Sequence, residues 1–163
     1  MANAPKTAEP YSSARAYWCM SFAGVPASIP EVRRYLVSVL GKACGIEPLL
    51  VATELATNAI KHTASGGVGG QFALHVDRYR DQLGIRVDDQ GGPHAPHILT
   101  QDVTRDTGRG LALVARLSLK WGVRGNEQSR TVWADLEMPC DQPEGGHGRL
   151  GLPVANERGA LPP

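Results

Sequence analysis

The spacing of apolar residues changes after about residue 63, and that change limits the possible folds of this chain more than any other feature. Between about residues 28 and 63, apolar residues recur every three or four positions, whereas between residues 72 and 87 they alternate with polar ones. The first spacing is typical of helices with one buried face, and the second of strands with one buried face. Helices followed by hairpin-linked strands favour a sheet that carries its helices on one face.

Start and stop signals divide the two patterns into elements. A short strand is predicted at 17–22, followed by a helix that begins with a capping box and a first-turn proline at 28–31. Gly41 and Gly45 mark its end, and a second helix is predicted at about 47–63. The remaining predicted elements are strands at 72–76 and 83–87, a helix at 108–119, and strands at 121–123 and 131–138. This order predicts an α/β protein, more specifically an α+β two-layer sandwich with a mixed, largely antiparallel sheet.

Length and composition place one folded domain between two tails. The chain has 163 residues, including 19 glycines and 12 prolines, and its length suits a single domain. Residues 1–16 are rich in Ala, Pro, Ser and Thr without an apolar period, and residues 140–163 are rich in Gly and Pro. Segments of this composition bury too little apolar surface to offset the entropy of ordering. We therefore predict a domain at 17–139 flanked by disordered ends.

Charge and cysteine content exclude several functional classes. The formal net charge is +1, which gives no electrostatic reason to expect nucleic acid or an anionic membrane as a partner. The sequence contains no run of about 20 apolar residues, and residues 1–16 lack the apolar segment of a secretory signal. Three widely spaced cysteines match neither a disulfide framework nor a zinc site, which favours reduced thiols and a cytoplasmic location.

Three polar segments have no obvious structural role, and the first lies on the second predicted helix. Glu54 and Asn58 are four residues apart, so both side chains lie on one stripe of that helix. A carboxylate can orient or deprotonate an attacking group, and an amide oxygen is a suitable ligand for Mg²⁺. Taken alone, the pattern is also that of an ordinary solvated helix face.

The second segment follows the second strand of the hairpin. Counting by twos from Leu83 through Val87 reaches Asp89, which therefore continues the apolar face, whereas Asp88 points the other way. A carboxylate on a buried face needs a hydrogen-bonding partner. An adenine amino group would satisfy it, and Gly91 would let a flat ring approach the backbone. The alternative is an aspartate that caps a turn.

The third segment is a glycine-rich turn at 107–111 that opens directly into a helix. Free N–H groups and the helix dipole at such a helix start attract phosphate. The segment matches neither the Walker A motif nor G-x-G-x-x-G, which weakens the P-loop and Rossmann interpretations. An ordinary flexible helix start remains the alternative.

Together, in this order and at these spacings, the three segments resemble the N, G1 and G2 boxes of the Bergerat-fold (GHKL) ATP-binding superfamily. The likeness is greatest to its anti-sigma regulatory factor branch of serine protein kinases. The supporting stretches are ELATNAIKH at 54–62, GRGLALV at 108–114, WG at 121–122 and RTVWA at 130–134. The resemblance covers about residues 18–138.

This resemblance implies a role for each matching residue. Glu54 would be the general base that acts on the attacking hydroxyl, and Asn58 the Mg²⁺ ligand. Asp89 would bind the adenine amino group, with Gly91 beside the base. The residues that would line the triphosphate are Gly108, Arg109, Gly110 and Leu111, and Thr131 would lie near the adenine.

The resemblance also implies an activity and partners. Such a protein binds ATP and Mg²⁺, phosphorylates a serine of an anti-anti-sigma (STAS-type) protein, and sequesters a sigma factor. A homodimer is a family expectation.

The chain departs from the family pattern D-x-G-x-G, because Pro93 occupies the second glycine position. Since proline stiffens a loop and removes a donor, an ATP-sensing interaction module without turnover is the second hypothesis. An orphan catalytic domain of a histidine kinase and a purely structural domain fit the sequence less well.

Overall fold

The computed structural model describes residues 16–41, 44–79, 81–93 and 109–138. Within them, five strands form one sheet in the order β1-β2-β3-β5-β4. The strands are β1 (Ala16–Ala23), β2 (Gln71–Tyr79), β3 (Gln82–Asp89), β4 (Lys120–Gly125) and β5 (Arg130–Glu137). All four pairings between these strands are antiparallel. The helices are α1 (Ser28–Leu40), α2 (Ile46–His62) and α3 (Arg109–Leu117), and a single 3-10 turn, Ala64–Gly66, follows α2.

The core lies between the helices and one face of the sheet. On the sheet side, most of the alternate residues of the inner strands that face the helices are buried and apolar, as with Leu74 on β2 and Ile85 on β3. Helix α2 packs over this face through Val51 and Leu55, and α1 packs through Leu36. We call this side of the sheet the covered face and the opposite side the open face. Burial of these apolar side chains is the main stabilising contribution to such a fold.

The predicted order of elements and the two-layer α+β class are confirmed, with local differences. The first strand begins at Ala16, one residue inside the segment predicted to be disordered. The capping box was wrong. Ala27 is the N-cap, no side chain caps the helix, and Ser28 is buried inside it. Backbone bonds in the preceding turn, such as that from Ser28 N–H to the Val25 carbonyl (2.9 Å), take the place of the cap.

Four segments converge on a backbone junction around Ser65, which is fully buried. Gly24 N–H donates to the Gly70 carbonyl (2.9 Å), and a Cβ on either glycine would overlap the Ser65 carbonyl. Ser65 Oγ in turn accepts from Gln90 N–H (2.9 Å). The junction therefore ties the ends of β1 and α2 and the start of β2 to the residue that follows β3.

None of the helices in the described ranges is long and apolar enough to cross a membrane. The predicted C-terminal tail, residues 1–15 of the N-terminal one and residues 94–108 lie outside the described residues. Cys19 and Cys44 are free thiols, and Cys140 lies outside the described residues.

Candidate functional site

The side chains of Glu54 and Asn58 meet the start of α3. Both lie on α2 beside its buried stripe, and both are half-buried. A Cβ added to Gly110 would collide with Glu54 Oε2 and come 3.8 Å from Asn58 Oδ1. The first and third segments singled out in the sequence are therefore in contact. Only glycine at position 110 leaves room for the Glu54 carboxylate in its present position.

Asn58 carries an unmet hydrogen-bonding requirement. Its Nδ2 atom is buried and has no hydrogen-bond partner among the described residues. Buried polar atoms are nearly always paired, and leaving one unpaired costs about 1–3 kcal/mol. An oxygen of a bound ligand would supply the missing acceptor, which makes Asn58 a candidate ligand-binding residue.

Asp89 ends β3 on the covered face, as the alternation predicts. It is 6% exposed, and its Oδ1 accepts a hydrogen bond from Gly91 N–H at 2.7 Å. Burial raises the pKa of this carboxyl above its ordinary value, although the Gly91 N–H and the nearby Arg130 partly offset that rise. Perturbed carboxyl groups of this kind are frequent at functional sites, which makes Asp89 a candidate ligand-binding residue.

Arg130 was not assigned a role from the sequence. It begins β5 directly opposite Asp89 in the strand register and is 5% exposed, and its Nη2 donates to the Gly92 carbonyl at 2.9 Å. The signal was present: Val132 and Ala134 are apolar, and counting backwards by twos from them puts Arg130 on the covered face. A cation on a buried face implies a partner.

The turn after Asp89 is held from both sides. Ala64 N–H donates to the Gly91 carbonyl (2.7 Å), while Arg130 holds Gly92. Gly91 has φ +70°, and a Cβ there would overlap the Glu127 backbone. Glycine is thus required at position 91 by a left-handed backbone and a close approach to the β4–β5 turn. These constraints apply whether or not an aromatic ring packs against it.

Thr131 does not join this group. Its Oγ1 donates to Asp88 Oδ1 at 2.8 Å, and Asp88 and Thr131 are register partners on the open face. The Asp89 side chain lies on the covered face, so the sheet separates it from the Thr131 side chain. The geometry gives no support to a contact between Thr131 and a base held by Asp89.

The predicted phosphate-binding residues are only partly described. Gly108 lies outside the described residues, and Arg109 is an exposed residue at the first position of α3. Leu111 is 4% exposed and belongs to the core, so its side chain anchors the helix and does not contact a ligand. The start of α3 lies beside Glu54 and Asn58, and a helix N-terminus is a suitable place for an anion.

The oxygen atoms at this place fit a magnesium ion that takes most of its ligands from water and from substrate phosphates. In the described part of the chain there is no cluster of three or more His, Cys, Asp or Glu side chains that would hold a metal. Mg²⁺ is commonly held by one or two protein oxygens together with water and substrate phosphates. Asn58 Oδ1, next to the Glu54 carboxylate and the start of α3, suits that arrangement.

Comparison with known proteins identifies the domain. The family model described as the histidine kinase-like ATPase domain matches residues 22–136, which include Glu54, Asn58, Asp89 and all of α3. A search of curated proteins found no match to the chain. The matched range spans the sheet from the end of β1 to the end of β5, and this family implies ATP binding. The chain therefore belongs to the histidine kinase-like ATPase domain family.

Proposed function

We propose that this protein is an ATP-dependent serine protein kinase of the anti-sigma type. The observation that carries the proposal is that Glu54 and Asn58 lie against the start of α3. They lie so close that a side chain at Gly110 would collide with the Glu54 carboxylate. A carboxylate, an amide with an unpartnered buried nitrogen and the N-terminal turn of a helix together suit a nucleotide phosphate chain and an attacking hydroxyl.

The adenine end of the nucleotide is assigned to Asp89. One carboxylate oxygen is engaged by Gly91 N–H, which fixes the carboxylate plane. Its other oxygen is the natural acceptor for an exocyclic amino group, since hydrogen bonds to charged groups are the stronger ones. The Gly91–Gly92 turn is held by Ala64 and Arg130, so this part of the site is preorganised.

The phosphate end is assigned to Asn58 and the N-terminus of α3. Asn58 Oδ1 would hold Mg²⁺, and its Nδ2 would donate to a phosphate oxygen. The backbone N–H groups at the start of α3 would face the remaining phosphate charge. When bound, magnesium neutralises charge on the phosphates.

Glu54 serves as the general base in this scheme. The serine oxygen of the partner forms a bond to the γ-phosphorus while the bond from that phosphorus to the leaving ADP oxygen breaks. The serine proton passes to the Glu54 carboxylate. Phosphoryl transfer depends mainly on positioning and electrostatic stabilisation, and the contact between Glu54 and Gly110 serves that positioning.

The proposed phosphate acceptor is a serine of an anti-anti-sigma (STAS-type) protein, with a sigma factor as a second partner. The support is the resemblance of residues 54–62 and 108–114 to the anti-sigma branch. A role in transcription regulation, a cytoplasmic location and a homodimer are proposed on the same grounds. Neither nucleic acid nor a membrane is proposed as a direct partner, because the net charge is +1.

One observation favours a second candidate, an ATP-sensing interaction module without turnover. Pro93 follows the held turn at Gly91–Gly92 and is exposed. Proline fixes its own φ and has no backbone N–H, so it restricts the backbone directly after this turn. If that restriction keeps the site from enclosing the phosphates, ATP binding would change a partner surface without phosphoryl transfer.

The test uses Glu54→Gln with γ-labelled ATP and purified STAS-type proteins. We expect phosphoryl transfer to fall by about 100-fold or more, while ATP affinity measured by calorimetry changes little. Glu47→Gln is the matched control, because Glu47 is an exposed acid in the first turn of the same helix. Loss of ATP binding in Glu54→Gln would contradict a catalytic role.

The same assay separates the two candidates. If the wild-type protein binds ATP and labels no partner, the sensing module is favoured. If it binds no ATP in the presence of Mg²⁺, both candidates are wrong.

A further inference from the structure

We propose that Arg130 is a positioning residue that determines base specificity, by keeping Asp89 as a hydrogen-bond acceptor for a purine with an amino group at C6. The inference rests on the proposed binding of a nucleotide base at Asp89. It adds to that proposal a residue from a different strand and a criterion by which 6-aminopurines are separated from 6-oxopurines.

The first argument is the chain of contacts from Arg130 to the carboxylate. Arg130 Nη2 donates to the Gly92 carbonyl (2.9 Å), which fixes the turn from its β5 side. The adjacent Gly91 N–H donates to Asp89 Oδ1 (2.7 Å). Removing the guanidinium would therefore loosen the same turn that orients the carboxylate.

The second argument is the placement of a charge where the strand otherwise buries apolar side chains. The other residues of β5 on the covered face are Val132, Ala134 and Leu136, all buried. Burying a charged side chain carries a desolvation penalty, and an apolar residue of similar size is often the more stable choice. A buried arginine directly opposite a buried aspartate is thus better explained by its effect on that aspartate than by stability.

The third argument is electrostatic. Burial pushes the pKa of Asp89 upwards and the like charge of Asp88 adds to this, whereas Arg130 opposes the rise. Helix α2, which covers this strand, carries the charged or titratable side chains Glu47, Glu54, Lys61 and His62. Among the described residues, Arg130 is the cation that lowers the pKa of the Asp89 carboxyl.

These contacts have a chemical consequence for the bound base. An ionised carboxylate only accepts hydrogen bonds, so it pairs with the amino group of adenine and repels the carbonyl oxygen of hypoxanthine. A protonated carboxyl donates from one oxygen, so it prefers the carbonyl oxygen. Selection between the two bases therefore follows the protonation state that Arg130 maintains.

The experiment compares the dissociation constants of ATP and inosine triphosphate by calorimetry between about pH 5 and pH 8. The two nucleotides differ in the base and share the triphosphate, so protonation of the phosphates cancels in the ratio of the two constants. The variants are Arg130→Gln, which removes the charge and keeps a donor, and Arg130→Lys, which keeps the charge. Arg34→Gln, at an exposed arginine of α1, is the matched control.

We expect wild type and Arg34→Gln to prefer ATP by about tenfold or more at neutral pH, and to lose that preference on acidification. In Arg130→Gln the pKa of Asp89 rises, so the preference should be lost at a higher pH than in wild type. Arg130→Lys should retain most of the preference.

Two results would overturn the inference. One is an Arg130→Gln protein that weakens ATP and inosine triphosphate equally and keeps the wild-type pH profile, since Arg130 would then be only structural. The other is a folded Arg130→Lys protein without any base preference, which would exclude a role for the charge. This second result decides the question if Arg130→Gln fails to fold. Failure of the wild-type protein to bind either nucleotide would instead contradict the proposed function itself.

Discussion

Asp88 and Asp89 are neighbours in sequence and lie on opposite faces of the sheet. Their environments shift the pKa values of the two carboxyl groups in opposite directions. On the open face, Asp88 Oδ2 pairs with His75 Nε2 (2.9 Å) and its Oδ1 accepts from Thr131 (2.8 Å). Burial alone would raise the pKa of Asp88, but these hydrogen bonds and the nearby Arg86 hold it below its ordinary value. On the covered face, burial dominates and the pKa of Asp89 is raised.

The difference separates a carboxylate whose partners belong to the fold from the one that we propose as a ligand-binding group. Two side-chain partners, His75 and Thr131, satisfy Asp88 with groups of the chain itself. Asp89 receives one backbone N–H from Gly91 and keeps capacity for another donor. Incomplete internal satisfaction at a buried position is a property of functional sites more than of structural ones.

The largest expected effect comes from Gly110→Ala. This variant tests whether the helices over the covered face hold the residues that catalyse phosphoryl transfer. The new Cβ would displace the Glu54 carboxylate, and a misplacement of about 1 Å can reduce catalysis by about 100-fold. We expect a folded protein with phosphoryl transfer reduced by about that factor, measured with labelled ATP. Gly45→Ala is the control, since its Cβ meets nothing closer than Pro48 Cδ at 3.9 Å. Unchanged transfer in Gly110→Ala would contradict the assignment of Glu54.

The next effect compares the two aspartates directly. Asp89→Asn should weaken ATP by about tenfold to a hundredfold, because it replaces a charge-assisted hydrogen bond. Asp88→Asn should leave ATP affinity unchanged and lower the free energy of unfolding by about 1 kcal/mol, a value reduced by the partial exposure of Asp88. Calorimetry and urea unfolding of both variants check the pair. If Asp88→Asn weakened ATP binding and Asp89→Asn did not, the roles assigned to the two aspartates would be wrong.

The pH dependence of the unfolding free energy should differ in sign between the two aspartates. Asp88 has a folded pKa below its unfolded value of about 3.9, so the stability it contributes is present above that pH and is lost as the pH falls through the folded pKa. Asp89 has a raised pKa, so its ionisation destabilises the fold as the pH rises past about 3.9. Unfolding free energies of wild type, Asp88→Asn and Asp89→Asn should therefore diverge in opposite directions between acid and neutral pH. Parallel curves for the two variants would contradict the opposed pKa shifts.

The smallest expected effect concerns Thr131. Thr131→Val removes the hydrogen bond to Asp88 and should lower the free energy of unfolding by about 1 kcal/mol, without changing ATP affinity. The same two measurements apply. A tenfold loss of ATP affinity would restore the role near the adenine that the family resemblance implies.

The architecture was predictable because its signals are local. The change of period from helix to strand predicted the order of elements, and counting by twos predicted that Asp88 and Asp89 point to opposite faces, as the structure confirms. The error at Ser28 has a local cause as well, since the backbone turn from Val25 makes a side-chain cap unnecessary.

The site was predictable only in part, because its remaining contacts depend on pairing between distant strands. Arg130 faces Asp89 across the β3–β5 ladder, and Thr131 is directed to Asp88 by the same register. No spacing within either strand specifies that register. Likewise, Gly91 was expected to make room for a ring, whereas the backbone of Glu127 and a positive φ require glycine there.

The junction around Ser65 has a practical consequence for labelling this protein. Gly66 and Gly70 cannot carry a side chain without overlapping neighbouring backbone, and Gly69 has a φ of +74° that strains any side chain, whereas Val68 is fully exposed. Val68 is therefore the place in this segment where a fluorescent label would be tolerated. Because Ser65 holds Gln90, which follows Asp89, a label at Val68 would lie three residues along the chain from a direct contact with the proposed base site, where it could report nucleotide binding.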